Sequence, residues 1–191
     1  MVNNVNNVIV GKPLATGGAL VAPVGTALPT NETTALNVAF VAVGYVTDSG
    51  VVKSENRDSS TIIAWGGDTI AAIQKSFTTT FKLSLAEFLN GSSQALIYGS
   101  AAVTVTAATI TAGTKTKVAV SAATSPHNSW VFEIRSGVAK LRIVLPNAQI
   151  TEVGDVSFTD EDIAANEITL TLFPDSSGNY YYTYADDGVL A

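Results

Sequence analysis

Cysteine is absent from this chain. That removes disulfides, thiolate metal sites and cysteine nucleophiles together, and it leaves the fold to packing and hydrogen bonds. Histidine occurs once, as His127 between Pro126 and Asn128, with no second His and no Cys to share a metal. No apolar run approaches the eighteen or so residues of a membrane-spanning helix. The opening Met1-Val-Asn-Asn-Val-Asn-Asn has neither a basic start nor an apolar stretch, so no signal peptide is expected and the chain is expected to stay where it is made. Charge is scarce at 14% of residues, and no Lys or Arg follows Arg142. Up to that point the net charge is +3; beyond it nine acidic residues stand alone. Clustered basic residues that neutralise phosphates are missing, which argues against sustained nucleic-acid binding.

What is present is apolar and finely divided. Hydrophobic residues make up 47% of the 191 positions, too many for disorder and enough for one core. They fall mostly into short alternating stretches bounded by Gly, Pro, Asn and Ser, the pattern of strands. Residues 1–35 read as an extended N-terminal arm packing on the body or on a neighbouring copy. Strands are expected at Val41–Thr47 and at Val51-Val52-Lys53, with Asp48-Ser49-Gly50 as a hairpin turn between them. Ser54–Ser60 is polar and reads as a long exposed loop, a candidate for contact between subunits through Lys53, Glu55, Asn56, Arg57 and Asp58.

A Trp-Gly-Gly-Asp corner at Trp65–Asp68 leads into a long alternating strand, Ile70 to Leu85, with Phe77, Phe81 and Leu83 on its apolar side. Ser84 and Glu87 have capping-box spacing, which predicts a helix running to Tyr98-Gly99, weakened at Asn90-Gly91. Further strands are expected at Val103–Ala108, Lys115–Ser121, Trp130–Arg135, Val138–Leu145, Gln149–Phe158, Glu167–Phe173 and Tyr180–Ala185. Ser136-Gly137 makes the clearest hairpin, and Pro146 is expected to stop its second strand. The whole predicts a mainly β fold: an antiparallel β-sandwich or open barrel of about ten strands with one flanking α-helix, in a single domain over 1–191.

Chemistry is hard to find. Gly17-Gly18 and Gly66-Gly67 lack the Lys of a phosphate loop, and no serine sits in a nucleophile elbow. Asp160-Glu161-Asp162 does not match a calcium loop and reads as a solvated acidic turn. Alternation puts Tyr180, Tyr182 and Tyr184 on one face, where packing or a subunit interface competes with a sugar-binding platform. An enzyme is not expected, nor a cofactor.

The landmarks Val10-Gly-Lys-Pro-Leu-Ala-Thr-Gly-Gly, Ala22-Pro-Val-Gly-Thr-Ala-Leu-Pro-Thr, Gly44–Gly50, Ala64-Trp-Gly-Gly-Asp-Thr-Ile70, Leu141-Arg-Ile-Val-Leu-Pro146 and Ile168–Asp175 resemble, in order, the major tail tube proteins of siphophages, especially those of actinobacterial hosts. The resemblance implies a virion protein made in the host cytoplasm, six copies of which form a ring. Rings would stack into a tube that passes viral DNA without binding it. Its partners would be further copies of itself together with the tape measure, tail terminator and distal tail proteins. Asp160, Glu161 and Asp162 would then line the lumen or lie on ring rims facing Lys115, Lys117, Lys140 or Arg142 of the next ring. The alternative from another class is a receptor- or glycan-binding β-sandwich.

Overall fold

The computed structural model describes residue 5, residues 8–14 and residues 18–189. Eleven strands and one α-helix follow in the order β1 (Lys12–Pro13), β2 (Ala19–Pro23), β3 (Val41–Ala42), β4 (Val46–Ile63), β5 (Thr69–Leu85), α1 (Gly91–Tyr98), β6 (Val103–Thr106), β7 (Lys115–Val118), β8 (His127–Ser136), β9 (Ala139–Val153), β10 (Asn166–Leu172) and β11 (Tyr182–Asp186). Nine of them form one antiparallel sheet with the path β3-β2-β8-β9-β10-β5-β4. Strand β1 adds beside β8 and β11 beside β9, while β6 and β7 pair separately. The expected class therefore holds: a mainly β fold with about ten antiparallel strands, an unclosed sheet and one flanking helix.

The sheet curls. Phe81 on β5 and Phe132 on β8 stack with ring centroids 5.7 Å apart, although two strands lie between them along the path. Three spacings of a flat sheet would separate them by about 14 Å. Curling brings the alternating apolar residues of β5, β8, β9 and β10 into one core built on Phe81, Leu83, Leu85, Trp130, Phe132, Leu145, Ile150, Ile168 and Leu170. The opposite face of β8–β9 is covered as well: Val131 and Val144 bury against Ala22 and Phe40, with Leu28, Leu36, Tyr182 and Tyr184 around them. Arg142 anchors this second layer. Its guanidinium meets Glu133 at 2.6 Å and donates to the carbonyl oxygens of Asn31 and Thr34 at 2.7 and 2.8 Å.

Several expectations are corrected. Ser84 and Leu85 belong to β5, because Leu85 is held between Val46 and Asn166 by the ladders on either side. The helix starts six residues later than Leu85, capped by Asn90, whose Oδ1 accepts the Ser92 N–H at 2.9 Å. Glu87 does not reach back to Ser84; its carboxylate accepts from the Tyr45 N–H and from the Asn90 amide. Gly91 is the first helical residue, and a Cβ there would stand 2.5 Å from the Val105 methyl. The glycine thus permits close approach of helix and β6. Ile97 on the helix joins the core, whereas Leu89 ahead of it is exposed.

Pro146 does not end a strand; β9 continues to Val153. The register with β8 shifts between Asn128 and Trp130, and on the other side β11 pairs β9 up to Val144 while β10 starts at Ala148. The proline occupies the gap where neither neighbour needs an N–H, and its carbonyl accepts from Ser129 Oγ at 2.7 Å. Within the segment 1–35, β1 and β2 are hydrogen-bonded members of the main sheet, and Ala19, Val21 and Ala22 are core residues. Met1–Asn4, Asn6–Asn7 and Ala15–Gly17 lie outside the described residues.

Candidate assembly interface

The segment expected as an exposed loop, Lys53 to Ser60, is strand. It lies within β4, paired with β5 from Val51↔Leu83 to Ile63↔Thr69 with register shifts at Asp58/Ser59 and Ile62/Ile63. Asp48-Ser49-Gly50, expected as a turn, is a bulge inside the same strand: the register steps from Val46↔Leu85 to Val51↔Leu83, and Gly50 takes the φ of +67° that the bulge needs. The true reversal is Ala64–Asp68, closed by Ala64 N–H to the Asp68 carbonyl at 2.7 Å, with Gly66 and Gly67 at positive φ. Together β4 and β5 make one long ribbon.

Cross-strand partners share a face, so Lys53, Glu55 and Arg57 sit on the side of Phe81, Thr79 and Phe77, whereas Asn56 and Asp58 sit with Thr78 and Ser76. The first three are engaged within the chain. Tyr181, from the loop before β11, donates its hydroxyl proton to Glu55 Oε1 and lies 3.0 Å from Lys53 Nζ. Lys53 and Glu55 are 3.2 Å apart. The Tyr181 hydroxyl is the main reason that the Glu55 carboxyl is held below, and the Lys53 ammonium above, its ordinary pKa. Arg57 lies over the Phe77 ring at 4.5 Å. Asn56 and Asp58 are exposed on the outer face.

The ribbon changes character along its length. From Thr79 to Leu85 alternate residues are buried and Phe77 is half-buried, but from Thr69 to Ser76 both faces are exposed. At this free end Trp65 is fully exposed, and Ile62, Ile63, Ile70 and Ile73 are exposed with it. Among the described residues nothing pairs with the outer edge of β4. Sequence reasoning missed Trp65 and these isoleucines as contact candidates; the signal was a run of large apolar residues flanking a Gly-Gly turn.

Asp160, Glu161 and Asp162 lie exposed in the loop between β9 and β10, where Phe158 packs edge-on to Phe88. Of the four cations expected to face them in a neighbouring ring, Lys140 pairs with Asp186 at 3.9 Å and Arg142 with Glu133. Lys115 and Lys117, on β7, are exposed. The tyrosines do not form one platform: Tyr180 packs on Phe77 and Tyr181 on Phe81, while Tyr182 and Tyr184 stack together over the second layer. His127 opens β8, with Nδ1 2.7 Å from Asn147 Oδ1. Among the described residues no group of His, Asp or Glu is gathered for a metal.

The sheet is open and curled, the outer edge of β4 is unpaired among the described residues, and the tip of the ribbon exposes large apolar side chains. The model of a phage tail tube protein family matches residues 1–189, and the chain belongs to that family. It is accordingly a structural, tail-associated protein and not an enzyme. Among solved structures it is similar to the tube-terminating cap of an anti-feeding prophage, at 14% identity over 94% of this chain and 96% of that one with a TM-score of 0.45. A chain of the sheath–tube complex of an extracellular contractile injection system, PVC, matches at 14% identity over 97% and 100% with a TM-score of 0.43. The sheath/tube terminator of the same system gives 14%, 91% and 98%, and 0.40. No curated protein matches in sequence.

Proposed function

We propose that the chain is the tube subunit of a long, non-contractile siphophage tail: six copies form a ring, rings stack, and viral DNA passes through the bore. The observation that carries this reading is the β4–β5 ribbon. A two-stranded ribbon with both faces wet is marginal by itself, and the long unpaired edge of β4 is a hazard in a lone molecule. Both are resolved when neighbouring copies cover them, and closed symmetry does this for every subunit at once. In this reading Lys53 to Asp58 contribute the β4 edge to a neighbour, and the tape measure, terminator and distal tail proteins cap the ends. Asp160–Asp162 face either the bore, where like charge keeps DNA phosphates from dwelling, or Lys115 and Lys117 of the next ring, where they steer stacking.

Negative-stain microscopy and mass photometry of the purified chain test the assembly. Rings and tubes support the reading, and a monomer that persists at high concentration rejects it. Reversing Asp160, Glu161 and Asp162 to Lys separates the two placements: slowed DNA release from intact particles marks the bore, and blocked tube growth marks the rim. Normal behaviour in both assays would reject each. No observation favours the glycan-binding alternative, since the tyrosines that suggested it are engaged in packing.

A further inference from the structure

The unclosed sheet leaves a groove where the start of β4 faces β1, β2 and β8. It holds about 320 Å³ and is lined mainly by apolar atoms, among them Leu14, Ala19, Tyr45, Val51, Phe132 and Ile134. At the far end of the same ribbon stands the exposed Trp65 with its isoleucines. We propose that Trp65 of one copy is the knob that fills this groove on another copy. The inference rests on the assembly reading above and names the two surfaces that meet.

The chain's own tip is not the occupant. Val51 lines the groove and Ile63 adjoins the tip, and between them β4 stays paired with β5 through two register shifts, at Asp58/Ser59 and at Ile62/Ile63. Twelve strand residues span about 40 Å, so the tip cannot fold back onto its own groove. Size and polarity agree: an indole enters a pocket of this volume with room for a neighbouring isoleucine, and apolar meets apolar. A buried Trp removes about 150–250 Å² from water. With four isoleucines and the ribbon's main chain beside it, the tip offers a large part of the roughly 800 Å² that each side of a stable interface supplies. Because knob and groove are different surfaces, the contact is heterologous and propagates as a ring or a filament rather than closing as a dimer. If the ribbon runs along the direction of stacking, the repeat is at most about 40 Å.

The absence of cysteine makes the test direct. Asp48, in the groove wall, and Asp68, beside Trp65, are both exposed; the double variant Asp48→Cys/Asp68→Cys treated with a short bis-maleimide is expected to give a ladder of covalent multimers. Trp130 is buried and is the one other tryptophan, so Trp65 emission should move to shorter wavelength on assembly. Trp65→Ala, which removes an exposed side chain and should fold normally, is expected to raise the concentration needed for assembly by about 30-fold or more, as loss of a hot-spot Trp does. Tubes that form normally with Trp65→Ala, or that give no ladder, overturn this proposal and leave the assembly reading standing. A chain that never self-associates overturns both.

Discussion

Strand β5 is two strands in one. Its second half alternates Phe77, Thr79, Phe81, Leu83 and Leu85 toward the core, with β10 on one side and β4 on the other. Its first half, Thr69 to Ser76, has β4 for a neighbour and solvent on both faces. The same backbone conformation is thus held by burial in one place and by hydrogen bonds alone in the other. The difference assigns stability to the proximal half and contact with other copies to the distal half.

That division breaks first, if it is wrong, under large-to-small changes. Phe81→Ala removes a fully buried ring and is expected to cost about 3–5 kcal/mol, enough to threaten a fold of ordinary stability. Ile73→Ala, on the same strand, should stay within about 0.5 kcal/mol for the monomer while weakening assembly. Urea melts of the two variants beside a sedimentation assay decide it, and equal losses of monomer stability would erase the distinction. Next in size, Arg142→Ala leaves Glu133 and two carbonyls unpartnered beneath the 24–40 segment. Breaking such a buried pair costs about 3 kcal/mol or more, and limited proteolysis should then cut first between Val24 and Ala39.

Smaller still, Asn90→Ala removes the helix cap at a cost of about 1 kcal/mol, read as a lower denaturation midpoint with an unchanged slope. Ser84→Ala, at the position that the capping-box spacing had singled out, should cost less. The smallest effect is acid sensitivity. Asp175 accepts the Tyr182 hydroxyl proton and the N–H groups of Ser177 and Asn179, which hold its carboxyl below the usual range, the Tyr182 bond contributing most. A depressed carboxylate stabilises the fold above its unfolded pKa, near 4, and that contribution fades as pH falls through the folded value. Thermal melts between pH 7 and pH 3 should therefore decline less steeply in Asp175→Asn than in the parent chain.

Both halves of β5 were legible as strand from Ile70 onward, whereas much of its partner β4 was not, for a physical reason. Alternation is written only where one face is buried, so Phe77–Leu85, Trp130–Arg135 and Glu167–Phe173 announce themselves. Ser54–Ser60 has no buried face within its own chain, and its polar residues look like a loop. Its strand character comes from the partner β5. The helix start was misplaced for a related reason: Ser84 and Glu87 satisfy a local rule that the Val46–Leu85–Asn166 ladder overrides. Pro146 was read as a stop because sequence cannot show a gap shared by two neighbouring strands. The contact residues fared similarly. Lys53, Glu55 and Arg57, expected in or beside an exposed loop, lie on β4 and turn to Tyr181 and Phe77, and the fully exposed Trp65 was read only as part of a corner.

The place of β10 between β9 and β5 sets a clock for synthesis. Leu85 waits for Asn166, and Lys12 for Arg135, so the ribbon leaves the ribosome long before the strand that will anchor it. At about 5–20 residues per second that delay lasts several seconds, and pairings of such sequence separation close slowly, in milliseconds to seconds. A nascent chain therefore carries an unsupported hairpin that cannot lock until most of the polypeptide exists. Chains truncated before Asn166 are expected to be protease-sensitive throughout β4–β5, which pulse proteolysis of stalled nascent chains would reveal.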